Sequence, residues 1–349
     1  MKKILFIRLS SLGDVVLTES TIRLAKEYFP DCEIHFLTKP VYTKLVESFE
    51  GVSKVYAWVE KPSIFISLRK EIYDFVIDLH NKFNTFLIKL ILCRKTITYN
   101  KQRFDRWLMT QRMTTERIDS VVWNYLDVLK KVVPSDKGNI NIDKILMNKT
   151  FYPKLRVEKY IVDAVRDKFM SYNVPLDQYL IGIFPGAKHD TKRYPIERII
   201  NLIIDVPDHW KCSFVFLGDW TDKEHTNKIR LLSEIKFYDL VGAFSVEQLV
   251  GAVSMLDVVI SNDSGPMHLA AALRKPQIAI FGATHTKLGF RPLNDKAVVL
   301  QADIRCQPCS LHGGKTCKRG TFKCMRDISS DEVFSVFKNV FEEMVVNKL

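Results

Sequence analysis

The run VVISNDSGPMHLAAAL, residues 258–273, decides the fold of this chain. Its first four residues are mostly β-branched and apolar, which predicts a buried strand. A polar turn follows the strand, and a helix with a small alanine face begins after the turn. This order is typical of a parallel α/β sheet, in which ligands bind at the carboxyl ends of the strands.

The same alternation of strand and helix extends in both directions from this run. Apolar segments of strand length predict strands at residues 3–9, 33–37, 54–57, 75–79, 96–99, 179–184, 213–217, 237–239, 258–261, 277–281 and 297–300. Helical patterns include residues 115–131, 158–172 and 329–347, whereas residues 133–153 lack a sustained period and are interpreted as a linker with its flanks. We therefore predict two doubly wound parallel-sheet domains, at residues 1–150 and 151–328, with a carboxy-terminal helix over residues 329–349.

The composition is that of an ordinary globular protein. The chain has 349 residues, of which 47% are hydrophobic and 26% are charged, and this excludes a disordered or collagen-like chain. The apolar run that begins at Ile4 stops at Arg8, which is too short for a signal peptide. No uncharged apolar stretch has the length of a membrane-spanning helix. We expect a cytoplasmic protein.

Positive charge is concentrated in two segments. The 52 Lys and Arg residues exceed the 40 Asp and Glu residues, and the formal net charge is +12. Residues 82–117 hold nine basic and two acidic side chains, and residues 305–326 hold six basic and no acidic ones. Such segments favour nucleic acid, an anionic membrane surface or a phosphorylated substrate, with a solvated basic surface as the alternative. No nucleic-acid partner is expected, because aromatic residues are not interleaved with the basic ones.

The segment RLSSLGD, residues 8–14, joins the first strand to a helix. Ser10, Ser11 and Gly13 allow close backbone approach, and free amides at the helix start favour an anion. The Asp14 carboxylate can take a proton from an attacking hydroxyl, or it can cap the first turn of the helix. The segment is not a complete G-x-G-x-x-G fingerprint, which argues against a dinucleotide enzyme.

Two further segments suit a phosphate. PGAKHDTKRYP, residues 185–195, carries the cations Lys188, Lys192 and Arg193 in a loop between a strand and a helix, where they either bind a phosphate or remain solvated. In the run at residues 258–273, Ser264 and Gly265 present a hydroxyl and backbone amides at a helix start. The remaining polar residues of that run have two interpretations each: His268 is a ligand contact or a packed residue, and Asp263 is a site residue or an N-cap.

Four motifs in order resemble one family. The turn at residues 10–14, the loop at residues 185–195, the run at residues 262–269 and the FGAT segment at residues 281–284 resemble the ADP-heptose:lipopolysaccharide heptosyltransferases of glycosyltransferase family nine over essentially the whole chain. The resemblance implies a GT-B fold, in which two Rossmann-like domains face each other across a cleft, the first binding acceptor and the second nucleotide sugar. It implies inverting transfer of L-glycero-D-manno-heptose from ADP-heptose to the inner core of lipopolysaccharide, with no cofactor required. The alternatives are a GT-B transferase for another nucleotide sugar and a metal-stabilised nucleic-acid-binding protein.

The resemblance also implies roles for individual residues. Asp14 matches the general base and Lys192 the lysine that neutralises the diphosphate, while the NDSGPM variant is similar to the second-heptose type. An acidic residue that contacts the nucleotide corresponds to Asp222 or Glu224. Because Thr221 and Glu224 fit a capping box, Asp222 is preferred. The remaining implied positions are the turn residues Ser10, Ser11 and Gly13 and the donor-binding residues Lys188, Asp263, Ser264, Gly265 and His268.

Four cysteines form the pattern C-x2-C-x7-C-x6-C: Cys306, Cys309, Cys317 and Cys324. Such spacing can bind zinc or another thiophilic metal, and four protein ligands would make the site structural. The implied acceptor is a lipid-linked anionic saccharide. We therefore expect peripheral contact with the inner face of the cytoplasmic membrane, through basic residues between Arg94 and Arg117.

Overall fold

The computed structural model describes residues 2–59, 62–92, 95–114, 116, 118–134 and 139–346. The chain divides into two compact units. The first unit comprises Met1–Arg103 and Asp119–Arg156, and the second comprises Phe104–Ile118 and Val157–Leu349. The segment at residues 104–118 thus belongs to the second unit, although residues of the first unit flank it on both sides in the sequence. Among the described helices, none has the length and apolar character that crossing a membrane requires.

The first unit contains a five-stranded parallel sheet with the strand order β3-β2-β1-β4-β5. Its strands are β1 (Lys3–Ile7), β2 (Glu33–Thr38), β3 (Val52–Ala57), β4 (Phe75–Asp78) and β5 (Thr96–Thr98). The described helices up to residue 156 are α1 (Leu12–Leu17), α2 (Glu19–Tyr28), α3 (Thr43–Glu47), α4 (Pro62–Lys70), α5 (Phe83–Leu92), α6 (Arg103–Thr110), α7 (Val121–Asp127) and α8 (Ile142–Met147). All but the first residue of α6 belong to the second unit.

The second unit contains a six-stranded parallel sheet with the strand order β11-β10-β9-β6-β7-β8. Its strands are β6 (Tyr179–Phe184), β7 (Cys212–Phe216), β8 (Tyr238–Asp239), β9 (Val258–Asn262), β10 (Gln277–Phe281) and β11 (Ala297–Gln301). The described helices after residue 156 are α9 (Lys159–Ser171), α10 (Ile196–Ile204), α11 (Lys223–Leu232), α12 (Val246–Met255), α13 (Gly265–Ala272), α14 (Lys323–Arg326) and α15 (Ser330–Val346).

Helices cover both faces of the second sheet. Ile181 and Ile183 of β6 pack in one buried cluster with residues of α10 and α15. Leu180 and Phe184 pack in another cluster with residues of α9 and α12. Successive residues of a strand point to opposite faces, so a strand that is buried on both faces reads as a continuous apolar run. This explains why the strands could be predicted from apolar runs.

Strand order fixes where ligands are expected in each unit. The chain leaves β1 toward β2 on one side, and β4 lies on the other side. In the second sheet β6 has the same position between β7 and β9. Ligands of open α/β sheets bind at the carboxyl ends of the strands where the order reverses. Ligand contacts are therefore expected in the turns after β1, β4, β6 and β9.

The predicted strands and the two parallel α/β sheets are confirmed, but two local predictions are wrong. In the described part of residues 115–131, the helix begins only at Val121, because the Ser120 hydroxyl caps it by accepting a hydrogen bond from the Trp123 amide (3.0 Å). The segment interpreted as a linker, residues 133–153, contains α8. Asn141 caps this helix by accepting from the Lys144 amide (2.9 Å).

Candidate functional site

The turn after β1 holds the Asp14 carboxylate at the start of α1. Oδ2 of Asp14 accepts hydrogen bonds from the Ser11 hydroxyl (2.8 Å) and the Ser11 amide (3.2 Å), so Asp14 completes a capping box with the N-cap residue Ser11. Ser10 is half-buried, Ser11 is exposed and Gly13 is buried in α1. Within the described part of the chain, Oδ1 of Asp14 receives no hydrogen bond or ion pair from another residue. Capping uses one carboxylate oxygen and leaves the other for a ligand.

Arg8, at the end of the first apolar run, is the second member of this site, and the sequence motif gave it no role. Its Nη2 lies 2.6 Å from Oδ2 of Asp14, and its Nη1 donates to the Leu79 carbonyl. Burial of the Asp14 carboxyl opposes ionisation, but the Arg8 charge and the Ser11 donors outweigh it and lower the pKa of Asp14 to about 2. Asp14 is therefore an ionised carboxylate at neutral pH.

The second unit contains another aspartate paired with a cation. Nζ of Lys192 lies 2.7 Å from Oδ2 of Asp263, and the Thr284 hydroxyl donates to the same oxygen (2.6 Å). Asp263 follows β9, Thr284 follows β10, and Lys192 lies in a short 3-10 turn after β6. The predicted residues Lys192 and Asp263 are thus in contact. Thr284, quoted only as part of a motif, is their third partner.

Asn262 holds the loop after β6 in place. Its Nδ2 donates to the carbonyls of Pro185 (2.8 Å) and Gly186 (3.2 Å) and, at 3.4 Å, to that of Phe184, while its Oδ1 accepts from the Tyr194 amide (3.0 Å). One buried side chain therefore satisfies backbone groups at both ends of the loop that carries Lys192. Sequence reasoning quoted Asn262 in a motif without giving it this positioning role.

The helix start after β9 lies next to this aspartate. Ser264 occupies the N-cap position of α13, Gly265 is its first residue, and His268 is buried in its first turn. The interpretation of Asp263 as the N-cap is therefore wrong, and its carboxylate pairs with Lys192 instead. Free backbone amides at the first turn of a helix attract an anion. Pro266, which has no amide hydrogen, leaves those of Gly265 and Met267 as donors.

Of the two acidic candidates for nucleotide contact, Asp222 lies against the loop after β6. A Cβ atom built on Gly186 would come within 1.7 Å of Asp222 Oδ1, and one built on Gly218 would come within 2.3 Å of Oδ2. Burial, followed by the negative charge of Asp219, raises the pKa of Asp222 to about 6. Only glycines at these two positions let this carboxyl approach the backbone so closely.

Glu224 has a different position, and its predicted capping box with Thr221 is wrong. Asp219 caps this turn by accepting from the Thr221 amide (2.8 Å), and its own amide donates to Asp222 (3.1 Å). Exposed Glu224 instead lies 3.2 Å from the Arg193 guanidinium. Lys188 is exposed in the same loop as Arg193 and, within the described residues, has no ion pair.

Comparison with known proteins identifies the family. The family model of glycosyltransferase family 9 (heptosyltransferase) matches residues 63–318. The chain belongs to glycosyltransferase family 9. It is therefore an enzyme of the glycosyltransferase class, as the sequence motifs predicted.

This family 9 enzyme has relatives of both heptosyltransferase types. Lipopolysaccharide heptosyltransferase 1 of Campylobacter coli is 26% identical over 302 residues, which are 81% of this chain and 84% of the relative. Lipopolysaccharide heptosyltransferase 2 of Salmonella typhimurium is 26% identical over 315 residues, 86% and 88% of the two chains. The solved structure of Escherichia coli ADP-heptose lipopolysaccharide heptosyltransferase II has a TM-score of 0.76 at 21% identity and covers 98% of this chain and 99% of its own. These likenesses confirm the predicted GT-B fold class.

In this family 9 enzyme the four-cysteine segment contacts the turn that carries Lys192. Thr191 exchanges hydrogen bonds with Gly314: its amide donates to the Gly314 carbonyl (3.1 Å), and its hydroxyl accepts from the Gly314 amide (2.8 Å). Thr191 and four thiols line one cavity: Cys306, Cys309, Cys317 and Cys324. Burial, and secondarily the neighbouring thiols, raise the pKa of Cys324 to about 12. Among the residues that the structure describes, no His, Cys, Asp and Glu side chains are arranged to hold a metal ion.

Proposed function

We propose that this enzyme transfers L-glycero-D-manno-heptose from ADP-heptose to the inner core of lipopolysaccharide, with inversion at the anomeric carbon. The observation that carries the proposal is the ionised Asp14 carboxylate, held on one oxygen by Arg8 and Ser11 and open on the other. Relatives named as lipopolysaccharide heptosyltransferases support the donor and acceptor class. Several relatives of the second-heptose type support the same preference here.

The reaction requires a base for the acceptor and a stabilised leaving group. Oδ1 of Asp14 accepts the proton of the acceptor hydroxyl while that oxygen forms a bond to the anomeric carbon. The bond between this carbon and the diphosphate oxygen breaks, and its electron pair leaves with ADP. A pKa near 2 makes Asp14 a weak base in the free enzyme, so proton transfer is expected late, when the acceptor oxygen has become more acidic.

Lys192 and the start of α13 stabilise the departing ADP in this proposal. An ammonium that is paired with Asp263 at 2.7 Å is already desolvated and can shift to a phosphate oxygen without losing its charge partner completely. The amides of Gly265 and Met267 add hydrogen bonds at the positive end of the helix. Asp222, held over Gly186, is assigned to the donor sugar or ribose hydroxyls, and Lys188 and His268 are assigned to further contacts with the donor. The chain's own groups supply this charge, so the proposed reaction requires no cofactor.

Donor profiling tests the proposal directly. Nucleotide release is measured with ADP-heptose and with ADP-, UDP- and GDP-hexoses, using lipopolysaccharide acceptors that carry no heptose or one heptose. We expect turnover with ADP-heptose, and with the singly heptosylated acceptor for the second-heptose type. Turnover with another nucleotide sugar alone would retain the GT-B transferase and contradict the heptose donor.

We also propose peripheral membrane contact through α5. Phe83, Phe86, Leu87 and Leu90 are 77%, 50%, 43% and 55% exposed and form one stripe of the helix. The end of α4, which packs on α5, carries exposed Arg69 and Lys70. An apolar stripe beside cations suits an anionic bilayer surface.

The basic residues between Arg94 and Arg117 are proposed to take part in the same contact. Among the described residues of this segment, Lys95, Arg103 and Arg112 are exposed, whereas Arg106 is buried. Arg94 and Arg117 lie outside the described residues. The apolar stripe and these exposed cations together carry the membrane proposal.

Vesicle sedimentation tests this contact. Phe86→Ser with Leu90→Ser is expected to weaken binding to anionic phosphatidylglycerol vesicles about tenfold or more, because two large apolar side chains no longer enter the interface. Leu231→Ser, which removes an even more exposed apolar residue from α11, is the control. Equal vesicle binding by the double variant and the wild type would contradict the proposal.

The four thiols are proposed to bind a structural zinc ion or another thiophilic metal. The donor set fits such a metal, and all four side chains line one cavity, although their present arrangement is not a ligand shell. Metal analysis of the purified protein should give about one metal per chain. The Cys309→Ser, Cys317→Ser double variant should lose it, whereas Cys212→Ser, at a half-buried cysteine on β7, should keep it. A metal-free wild type would contradict this part of the proposal.

A further inference from the structure

Two loops of the first unit are tied together at the carboxyl edge of its sheet. The loop after β4 contains Asn81, whose backbone has a positive φ of 50° and whose side-chain amide donates to the Tyr99 carbonyl (3.3 Å). The loop after β5 returns two cations to the same place. Nζ of Lys101 donates to the Asn81 carbonyl (2.8 Å), and Nη2 of Arg103 donates to the same oxygen (3.1 Å). Nζ of Lys101 and Nη2 of Arg103 therefore lie close together, because both donate to one oxygen atom.

These cations are not paired with a carboxylate in the described part of the first unit. Within the described ranges, no carboxylate forms an ion pair with Lys82, Lys101 or Arg103. Asp78 is the nearby acidic residue, and its carboxylate is already paired with Lys89 (3.1 Å) and accepts from the backbone amides after β4. Burial, and then the positive charges of Arg8, Arg103 and Lys82, lower the pKa of Lys101 to about 8. The cluster repels itself until an anion enters it.

His80 adds a buried polar group to the same cluster. It is 3% exposed, and its Nδ1 has no hydrogen-bond partner in the described part of the structure. Burial, together with the charges of Arg8 and Lys82, lowers the pKa of His80 to about 3, so the ring is neutral at physiological pH. A buried ring nitrogen without a partner is costly unless a ligand or a water molecule satisfies it.

We propose that Lys101, Arg103 and His80 bind an oxyanion group, phosphoryl or carboxylate, that the acceptor saccharide carries close to its reacting hydroxyl. The inference rests on the proposed function, because it names the part of the acceptor that this unit recognises. A guanidinium and an ammonium together neutralise the charge of the bound anion. The planar guanidinium also sets the orientation of that anion.

The anion site formed by Lys101, Arg103 and His80 is called the cradle below. Arg8 connects this cradle to the proposed base. Its guanidinium donates to the Leu79 carbonyl through Nη1 and contacts Asp14 through Nη2. Leu79 directly precedes His80, so an anion in the cradle lies on the same rigid edge as Asp14 and next to it in the sheet order. Binding a charged group there fixes the acceptor relative to the base without contacting the hydroxyl that reacts.

Steady-state kinetics with both substrates tests the cradle. Lys101→Met and Arg103→Gln are each expected to raise the KM for the acceptor about tenfold or more, because each removes a charge-assisted hydrogen bond, and to leave the KM for ADP-heptose within about twofold. Lys95→Ala is the matched control: Lys95 precedes β5 and Lys101 follows it, so the control removes the same charge at the opposite edge of the sheet. An unchanged acceptor KM in the folded Lys101→Met, Arg103→Gln double variant would overturn the proposal.

The source of the oxyanion is identified with a dephosphorylated acceptor. If a phosphoryl group occupies the cradle, the wild type loses affinity for this acceptor and the double variant loses nothing more. If a carboxylate occupies it, the double variant still raises the KM for the dephosphorylated acceptor. Either result supports the cradle.

A second measurement needs no turnover, so it separates failure of the cradle from failure of the proposed function. Inorganic phosphate is titrated into the full-length protein while the ring 13Cε1 resonance of His80 is observed, with His80→Gln used for its assignment. Phosphate should shift this resonance, and the double variant should need about tenfold more phosphate for the same shift. A His80 resonance that does not respond to saturating phosphate would overturn the cradle, whatever donor the enzyme uses.

Discussion

The two units each hold an aspartate against a cation at the carboxyl edge of a parallel sheet, but they do so differently. In the first unit Arg8 lies 2.6 Å from Asp14, and in the second Lys192 lies 2.7 Å from Asp263. Arg8 and Asp14 flank one turn, whereas Lys192 and Asp263 follow different strands. Asp14 takes its other hydrogen bonds from its neighbour Ser11, whereas Asp263 takes one from distant Thr284.

This difference indicates different chemical roles. The Arg8 guanidinium is held by two acceptors and is buried, so it fixes the Asp14 carboxylate and remains in place. Lys192 is a flexible ammonium in a short turn, so it can exchange its carboxylate partner for a phosphate. The first pair thus presents a carboxylate oxygen, and the second presents a cation. Four substitutions test this contrast.

Replacing the presented carboxylate should have the largest effect. Asp14→Asn keeps an acceptor for Ser11 but removes the base, so kcat should fall about 10³-fold while the affinity for ADP is retained. Turnover is measured by ADP release, and folding is checked by circular dichroism. A variant with nearly wild-type kcat would show that Asp14 only caps α1.

Replacing the presented cation should have the next largest effect. Lys192→Ala should lower kcat about 10²-fold and weaken ADP binding, because the leaving group loses its charge partner. Lys192→Arg should restore part of both quantities. Lys188 lies in the same loop but does not contact Asp263, so Lys188→Ala should lower kcat by no more than about tenfold. Equal losses in the two alanine variants would contradict a special role for Lys192.

Removing the side chain that positions the second pair should reduce stability. Asn262→Ala leaves buried carbonyls of the loop after β6 without a partner, so the free energy of unfolding should fall by about 2–3 kcal/mol, and the KM for the donor should rise. Urea denaturation and donor titration measure the two effects. The matched control, Asn227→Ala at an exposed position of α11, should stay within about 0.5 kcal/mol of the wild type.

The smallest expected effect concerns Asp222. Its folded-state pKa, about 6, is above the ordinary value of 3.8, so the native state binds the proton more tightly than the unfolded state. Unfolding free energy should therefore decrease as the pH rises from about 4 to about 6, by about 1 kcal/mol after allowance for solvent screening of this half-buried group. Asp222→Asn should lack this decrease. An identical pH dependence in both proteins would contradict the raised pKa.

The sequence predicted the strands well because their pattern is local. Strands buried on both faces are continuous apolar runs, and glycine, proline and polar turns mark their ends. Helix starts were less well predicted, because several residues compete as caps. Ser120 caps α7, so this helix begins later than the pattern of residues 115–131 predicts. Asp219, and not Thr221, caps the turn before α11.

The site was only partly predictable for a similar reason. Asp14, Lys192 and Asp263 could be singled out as candidates because each belongs to a motif of consecutive residues. Arg8 and Asn262 act through contacts with other strands and their loops, such as the Leu79 carbonyl and the backbone after β6. Which carbonyl a buried side chain reaches depends on strand order and register, and a local pattern does not contain that information.

The most direct test of the central claim compares the dissociation constant for ADP with acceptor-dependent turnover in Asp14→Asn and Lys192→Ala. The contrast between the two pairs predicts that Asp14→Asn binds ADP like the wild type but loses turnover, whereas Lys192→Ala loses both ADP affinity and turnover. If Asp14→Asn weakens ADP binding as much as Lys192→Ala does, or retains turnover, the two pairs do not have the separate roles assigned here.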